Sequence, residues 1–276
     1  MSILEFSHPL IMGILNLTPD SFSDGGSYDS ESAVTRAVEM VEEGADIIDI
    51  GGESTRPEAM SVSVAEQKSR VLDTLRTLRD RLPDEFPISI DTTSSDVARH
   101  ALDCGANMIN DISAGREDPE ILALAASAGI PLVLMHMQGT PETMQHAPSY
   151  RDLVAEVKSF LQARVEAAQA AGVKPEALLL DPGIGFGKQK RHNLQLLAEL
   201  QQFSELGYPL LLGASRKRFM GSICHPAQPN ALMPATCATT ALGVMAGVKV
   251  FRVHDVWQNR QAADVAWAIR NEKKRL

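Results

Sequence analysis

Short apolar runs alternate along this chain with longer stretches of helical periodicity. The apolar runs are LIMGILN (10–16), DIIDIG (46–51), ISIDT (88–92), MINDI (108–112), PLVLMH (131–136), ALLLDP (177–182), PLLLGAS (209–215) and VFRVHD (250–255). Runs that are apolar almost throughout, rather than at alternate positions, predict strands buried on both faces, as in a parallel sheet covered by helices. The intervening segments predict those helices. Residues 63–82 open with Ser63 and Glu66 at capping-box spacing and repeat Val71, Leu75, Leu78 and Leu82 on one face. Residues 116–129 place Asp118 as N-cap, Pro119 at the first helical position and Gly129 at the stop. Residues 152–172 form a long amphipathic helix ending at Gly172. Eight strand–helix repeats predict the α/β class and a closed (β/α)8 TIM barrel, with an open doubly wound sheet as the alternative. No linker or low-complexity tract divides the chain, so residues 1–276 are expected to form one domain.

Composition narrows the function. With 26 Lys and Arg against 35 Asp and Glu, the net charge is −9, which gives no global positive field to gather nucleic acid or anionic lipid. An anion, if bound, must be met by local cations in a cleft. The three cysteines, Cys104, Cys224 and Cys237, show no C-x-x-C spacing and read as reduced thiols. No apolar run approaches the roughly 20 residues of a membrane span, and the start lacks a signal-peptide pattern, so a cytoplasmic location is expected.

The candidate chemistry lies where a barrel keeps its site, at the C-terminal strand ends. Those ends carry Asn16; Glu53, Thr55 and Arg56; Asp91; Asn110 and Asp111; His136; Asp181; Ser215, Arg216 and Lys217; and Arg252 with His254. In VFRVHDV, alternation puts Arg252 and His254 on one face and Phe251 and Val253 on the other. An arginine pointing into a protein interior needs an anion, either a ligand's or an internal carboxylate from Asp49, Asp91 or Asp255. Asp91, Asn110 and Asp181 offer acceptors for a flat, proton-donating edge. Arg56, Lys217, Arg252 and His254 offer positive donors suited to phosphate. The set predicts a small heterocycle that carries an anion. DPGIGFGK (181–188) resembles a phosphate loop, but it is one residue short and lacks the magnesium-binding hydroxyl after Lys188, which excludes a nucleoside triphosphatase. LTPDSFSDGGSYDS (17–30) reads as a polar lid loop. No His or Cys cluster has ligand spacing. Asn16 could still help hold a magnesium ion bound chiefly by substrate phosphates.

MGILNLTPDSFSDGG, IIDIGGESTRP, IDT, NDIS, LMHMQG, LLDPGIGFGK, SRK and RVHDV, in this order, resemble the bacterial dihydropteroate synthase family over nearly the whole chain. The resemblance implies a cytosolic homodimeric barrel enzyme of folate biosynthesis, a target of sulfonamides. Such an enzyme joins p-aminobenzoate to 6-hydroxymethyl-7,8-dihydropterin diphosphate, with diphosphate leaving. Carried over by motif, it implies that Asp91, Asn110, Asp181 and Lys217 hold the pterin ring. Thr55, Arg56, Arg252, Val253 and His254 complete the site for the pterin diphosphate, with Mg²⁺ at Asn16. Phe22, Thr55, Pro57, Ser215 and Lys217 enclose p-aminobenzoate. The reaction is expected to rest on Asp91, Lys217, Arg252 and His254, the last two easing diphosphate departure and Asp91 stabilising positive charge on the ring. Arg218 after Lys217 and Glu58 after Pro57 depart from the usual pattern beside the p-aminobenzoate pocket. A pterin-binding methyltransferase domain and a non-catalytic pterin-binding paralogue are the alternatives. Small-molecule substrates, with neither nucleic acid nor membrane, are the expected partners. The homodimer rests on the resemblance alone; the last helical stretch shows Ala263, Trp267 and Arg270 along one side, a face that could equally pack on the barrel.

Overall fold

The computed structural model describes residues 6–18, 23–24, 27–28, 30–54, 61–224 and 228–273. The barrel strands are β1 Leu10–Asn16, β2 Ile47–Gly51, β3 Ile88–Asp91, β4 Met108–Asp111, β5 Leu132–Met135, β6 Leu178–Asp181, β7 Leu211–Leu212 and β8 Val250–Val253. The helices that follow them are α1 Ser30–Glu42, α2 Val64–Arg81, α3 Ser95–Asp103, α4 Glu120–Ala128, α5 Leu153–Ala170, α6 Lys190–Ala198, α7 Met233–Ala246 and α8 Val256–Lys273. All strand pairs of the barrel are parallel, in the order β6-β5-β4-β3-β2-β1-β8-β7. A bridge between Leu180 and Leu210 closes the ring, supported by Leu180 N–H donating to Pro209 O at 3.0 Å. The predicted TIM barrel is the observed fold.

Each predicted strand is present, with one marked difference. The run 209–215 yields only the two-residue β7. After Leu212 the chain leaves the ladder through Gly213, and Arg216 adopts a left-handed φ of 55°. The missing ladder residues are those that turn inward to build the site. The α2 start and the α4 stop follow the expected chemistry: Ser63 Oγ accepts from Glu66 N–H, and Gly129 closes α4 at φ 66°. The start of α4 falls one residue later than expected, with Pro119 at the N-cap and Asp118 accepting from Glu120 N–H just outside it.

Period-two alternation along the strands separates two apolar layers. Ile11, Ile48, Ile90, Ile109, Leu134, Leu180, Phe251 and Val253 face outward into the packing between sheet and helices. Leu10, Met12, Ile47, Met108, Val133, Leu179, Leu211 and Val250 fill the barrel's lower interior, and Phe6 packs against them. Burial of such side chains contributes about 1.5–3 kcal/mol each. Close approach of α7 to β8 depends on Gly243, where an added Cβ would lie 2.6 Å from Phe251 Cε1. One step up the interior, at i+2, Ile47 gives way to Asp49, Met108 to Asn110, Leu179 to Asp181 and Val250 to Arg252. The same alternation that fills the floor with methyl groups therefore delivers a ring of polar groups directly above it.

Candidate active site

Arg252 occupies the centre of that ring. Its Nε donates to Asp49 Oδ2 and its Nη2 to Asp91 Oδ2, each at 2.6 Å. Asn110 Nδ2 donates to the same Asp49 oxygen at 3.2 Å. Burial opposes charge on Arg252, but Asp49 and Asp91 overcome it and raise its pKa. Asp91 shows the reverse balance: burial raises its pKa against the pull of Arg252. Asp49 Oδ1 and Asp91 Oδ1 are buried with no hydrogen-bond partner among the described residues. Orphaned acceptors at this depth are sites for donor groups of a ligand or water.

Asp181 ends β6 beside this group. Its Oδ1 accepts from Gly183 N–H at 2.6 Å, while burial pushes its carboxyl up to about 6 against that bond and the field of Lys217, Lys188 and Arg252. Gly183 has no alternative residue: its φ is +68°, and a Cβ would lie 1.9 Å from His136 O. Lys217 holds its ammonium 4.2 Å from the centroid of the Phe186 ring, and burial lowers its pKa to about 8. Ser215 Oγ accepts from His254 N–H at 3.2 Å and lies 2.9 Å from His254 Nδ1. When Oγ–H donates to Nδ1, the neutral imidazole carries its proton on Nε2.

Above these groups opens a cleft of about 860 Å³ lined by Asn16, Gly213, Ser215, Lys217, Arg252 and His254 among others. A cavity of this size with convergent polar groups suits a small-molecule ligand. Arg218 also lines it. Phe22, Thr55, Arg56, Pro57 and Glu58 lie outside the described residues. Of the lid loop, two short antiparallel strands, Ser23–Asp24 and Ser27–Tyr28, are described.

Several polar strand-end residues serve the scaffold instead. Asp111 accepts from the backbone of Ser113 and Gly115. Glu53 accepts from Val62 N–H and Gln67 Nε2. Asp255 is not a partner of Arg252 but forms a two-point ion pair with Arg216. The Val253 side chain is buried in the outer apolar layer, as alternation along VFRV implies, so what Val253 can offer a ligand is its backbone. Two residues gain importance. Asp49 entered the sequence reading only as an alternative partner of Arg252, although alternation from Ile47 already points it inward. Lys188 was read only as the end of a rejected phosphate loop, yet it is buried and bonded to His136 Nδ1 at 2.9 Å. The three cysteines are free thiols. Among the described residues no group of three His, Cys, Asp or Glu could hold a metal, and no helix is long and apolar enough to cross a membrane.

Residues 12–254 match the family described as pterin binding enzyme, and the chain belongs to that family. Within it, the similarity is to dihydropteroate synthases. The Synechocystis dihydropteroate synthase is 48% identical over 94% of this chain and 89% of its own length. The Yersinia pestis dihydropteroate synthase, solved as a sulfonamide drug complex, superposes with a TM-score of 0.91 at 42% identity, covering 97% of this chain and 96% of that one. The Xanthomonas albilineans enzyme in complex with 7,8-dihydropteroate gives 0.87 at 42% identity, over 96% and 95%.

Proposed function

We propose that this chain is a transferase of folate biosynthesis that forms 7,8-dihydropteroate from p-aminobenzoate and 6-hydroxymethyl-7,8-dihydropterin diphosphate. The observation that carries the reading is the vertical order of the site. Acceptors from Asp91, Asn110 and Asp181 lie deep in the barrel, and the donors Lys217, Arg252 and His254 face the cleft above. A pterin presents N–H donors along its edge and bears its diphosphate at the opposite end, so it matches that order.

Asp181, Asn110 and Asp91 bind and orient the pterin through charge-assisted hydrogen bonds. The carbon–oxygen bond to diphosphate breaks with its electron pair leaving on oxygen. Arg252 and the Nε2–H of His254 stabilise the charge that develops there. Carboxylates beside the ring stabilise the cationic pterin methylene, and the p-aminobenzoate nitrogen then forms the new bond and sheds a proton to solvent. Ser215 and Lys217 border the p-aminobenzoate side, where the family resemblance would add Phe22, Thr55 and Pro57, and sulfonamides would compete there. Arg56 supports the diphosphate.

The donor set fits magnesium brought in on the diphosphate, with Asn16 Oδ1 as a protein ligand; among the described residues no group of His, Cys, Asp or Glu could hold the ion alone. When bound, the ion supplies further charge neutralisation to the leaving group. The exposed apolar residues Leu242 and Met245 of α7 with Trp257, Val265 and Ile269 of α8 support a homodimer through these helices. Ala263 is fully buried, and Arg270 donates to Val244 O, so that side of the last helix packs inward, and the exposed side of α8 is the one left for a partner. A cytoplasmic location accords with the free thiols.

Incubation with the pterin diphosphate, p-aminobenzoate and Mg²⁺ tests the reading. Dihydropteroate detected by mass, with equimolar diphosphate, is the expected result. Pterin binding without diphosphate release would favour a non-catalytic paralogue.

A further inference from the structure

The lysine that ends DPGIGFGK is unused by the mechanism above, yet it is one of the most buried charged groups in the chain, at 2% exposure. Its Nζ donates to Phe186 O at 2.9 Å, lies 2.9 Å from His136 Nδ1 and reaches His136 O at 3.3 Å. One ammonium thereby joins the loop after β5 to the loop after β6. The second loop carries both ends of the pterin site. Gly183 N–H anchors Asp181, and the Phe186 ring lies beneath the Lys217 ammonium. Other bonds fix the same loop without charge: Asn193 Oδ1 accepts from Gly185 N–H, and Tyr150 Oη–H donates to Gly187 O. Loop closure alone does not require a buried cation, which is costly unless a nearby anion compensates it.

We propose that Lys188 is a positioning residue for pterin recognition: it ties Phe186 to the loop after β5, holds that ring beneath Lys217, and adds a buried cation to the pterin side of the site. The inference rests on the pterin-transferase reading and adds a residue to it. The charged groups facing Asp181 are Lys188, Lys217 and Arg252. Those facing Lys188 are Asp181 and Lys217, with His136 as its neutral acceptor. The pKa of His136 is pushed down to about 2, first by burial and then by Lys188, so it stays an acceptor throughout the working range. Lys188 itself is lowered to about 7 by burial, so it is largely protonated at the pH where Asp181 titrates.

The test compares the wild-type chain with Lys188→Met, which removes charge and donors, and Lys188→Gln, which keeps an N–H donor without the charge. Binding of pterin diphosphate is followed by calorimetry across pH, and the KM of each substrate is measured separately. Lys188→Met should weaken pterin diphosphate about tenfold, a larger loss than the rise in KM for p-aminobenzoate, which Lys217 also borders. Both variants should move the acid limb of pterin binding upward by about one pH unit, the sign expected when a cation is removed from beside a carboxylate. A folded Lys188→Met with wild-type pterin affinity and an unmoved limb would overturn the proposal. So would failure of both variants to fold, which would leave the lysine a scaffold residue. Absence of pterin binding by the wild-type chain would instead overturn the functional reading on which the proposal rests.

Discussion

Arg252 Nη2 lies 2.6 Å from Asp91 Oδ2, so a cation expected to meet substrate phosphate already bonds a carboxylate in the ligand-free chain. Asp49 takes the Nε–H in the same way. The two roles are compatible. A guanidinium has five N–H groups, and these carboxylates engage two of them, leaving three for other partners, while Arg252 also lines the cleft. The carboxylates fix the plane of the guanidinium before substrate arrives, which lowers the ordering cost of binding.

Arg252→Met should therefore act twice. It leaves Asp49 and Asp91 buried without their cation, a loss of about 3–5 kcal/mol in folding stability, visible as a large drop in melting temperature. It should also weaken pterin diphosphate more than the plain hydroxymethyl pterin, because only the former presents phosphate oxygens. Equal losses for both ligands would mean that Arg252 supports the site without touching the leaving group.

Removal of divalent cations should separate the two ends of the substrate. On the proposed reading, a Mg²⁺ ion at Asn16 would be held mainly by the substrate's diphosphate. Excess chelator is expected to abolish turnover and weaken pterin diphosphate in calorimetry, with both restored by Mg²⁺. Hydroxymethyl pterin affinity should not change. Full activity in chelator would remove Asn16 from its assigned role.

The strand pattern made most of the fold legible, because strands buried on both faces carry a distinctive apolar run and each is followed by a helix with its own stop signal. The polar ring was legible too: alternation along VFRV predicts that Arg252 faces inward, and it does. What alternation could not supply was pairing. Nothing local to Asp49 or Asp255 says which arginine each will meet, since each pair joins residues far apart in sequence, Asp49 reaching past β1 to β8 and Asp255 meeting the loop after the neighbouring β7. The same limit hid Lys188, whose His136 partner comes from the loop after β5.

The exposed apolar side chains of α7 and α8 make a direct prediction about assembly. Trp257 is 52% exposed, Val265 61% and Ile269 57%, and they recur on one side of α8 beside Leu242 at 66%. A stable interface buries about 800 Å² per partner, a scale two helical faces can provide. Light scattering should give a dimer mass at micromolar concentration, and Val265→Glu should shift it to a monomer without altering the melting temperature of the protomer's core. A wild-type monomer under these conditions would exclude the α7–α8 interface.

Asp181 should make stability and binding respond to pH in opposite directions. Burial raises its folded pKa to about 6, above the unfolded value of about 3.9. A group with a raised folded pKa contributes stability fully below its unfolded pKa and loses that contribution as pH rises through the folded one, so this residue destabilises the ligand-free chain progressively between about pH 4 and 6. Pterin recognition needs the carboxylate, so affinity should climb over the same interval and level off above about pH 7. Asp111, also raised to about 6 by burial, adds to the stability trend but does not contact the cleft. The difference between wild type and Asp181→Asn isolates the residue of interest. The variant should lose the portion of the stability slope due to Asp181 and bind pterin weakly with a flatter pH dependence. Asp181→Ala should cost about 1.5–3 kcal/mol of pterin binding at neutral pH. An affinity that falls as pH rises from 5 to 7 in the wild-type chain would show that the pterin is held by a protonated acid, reversing the donor and acceptor assignment at this position.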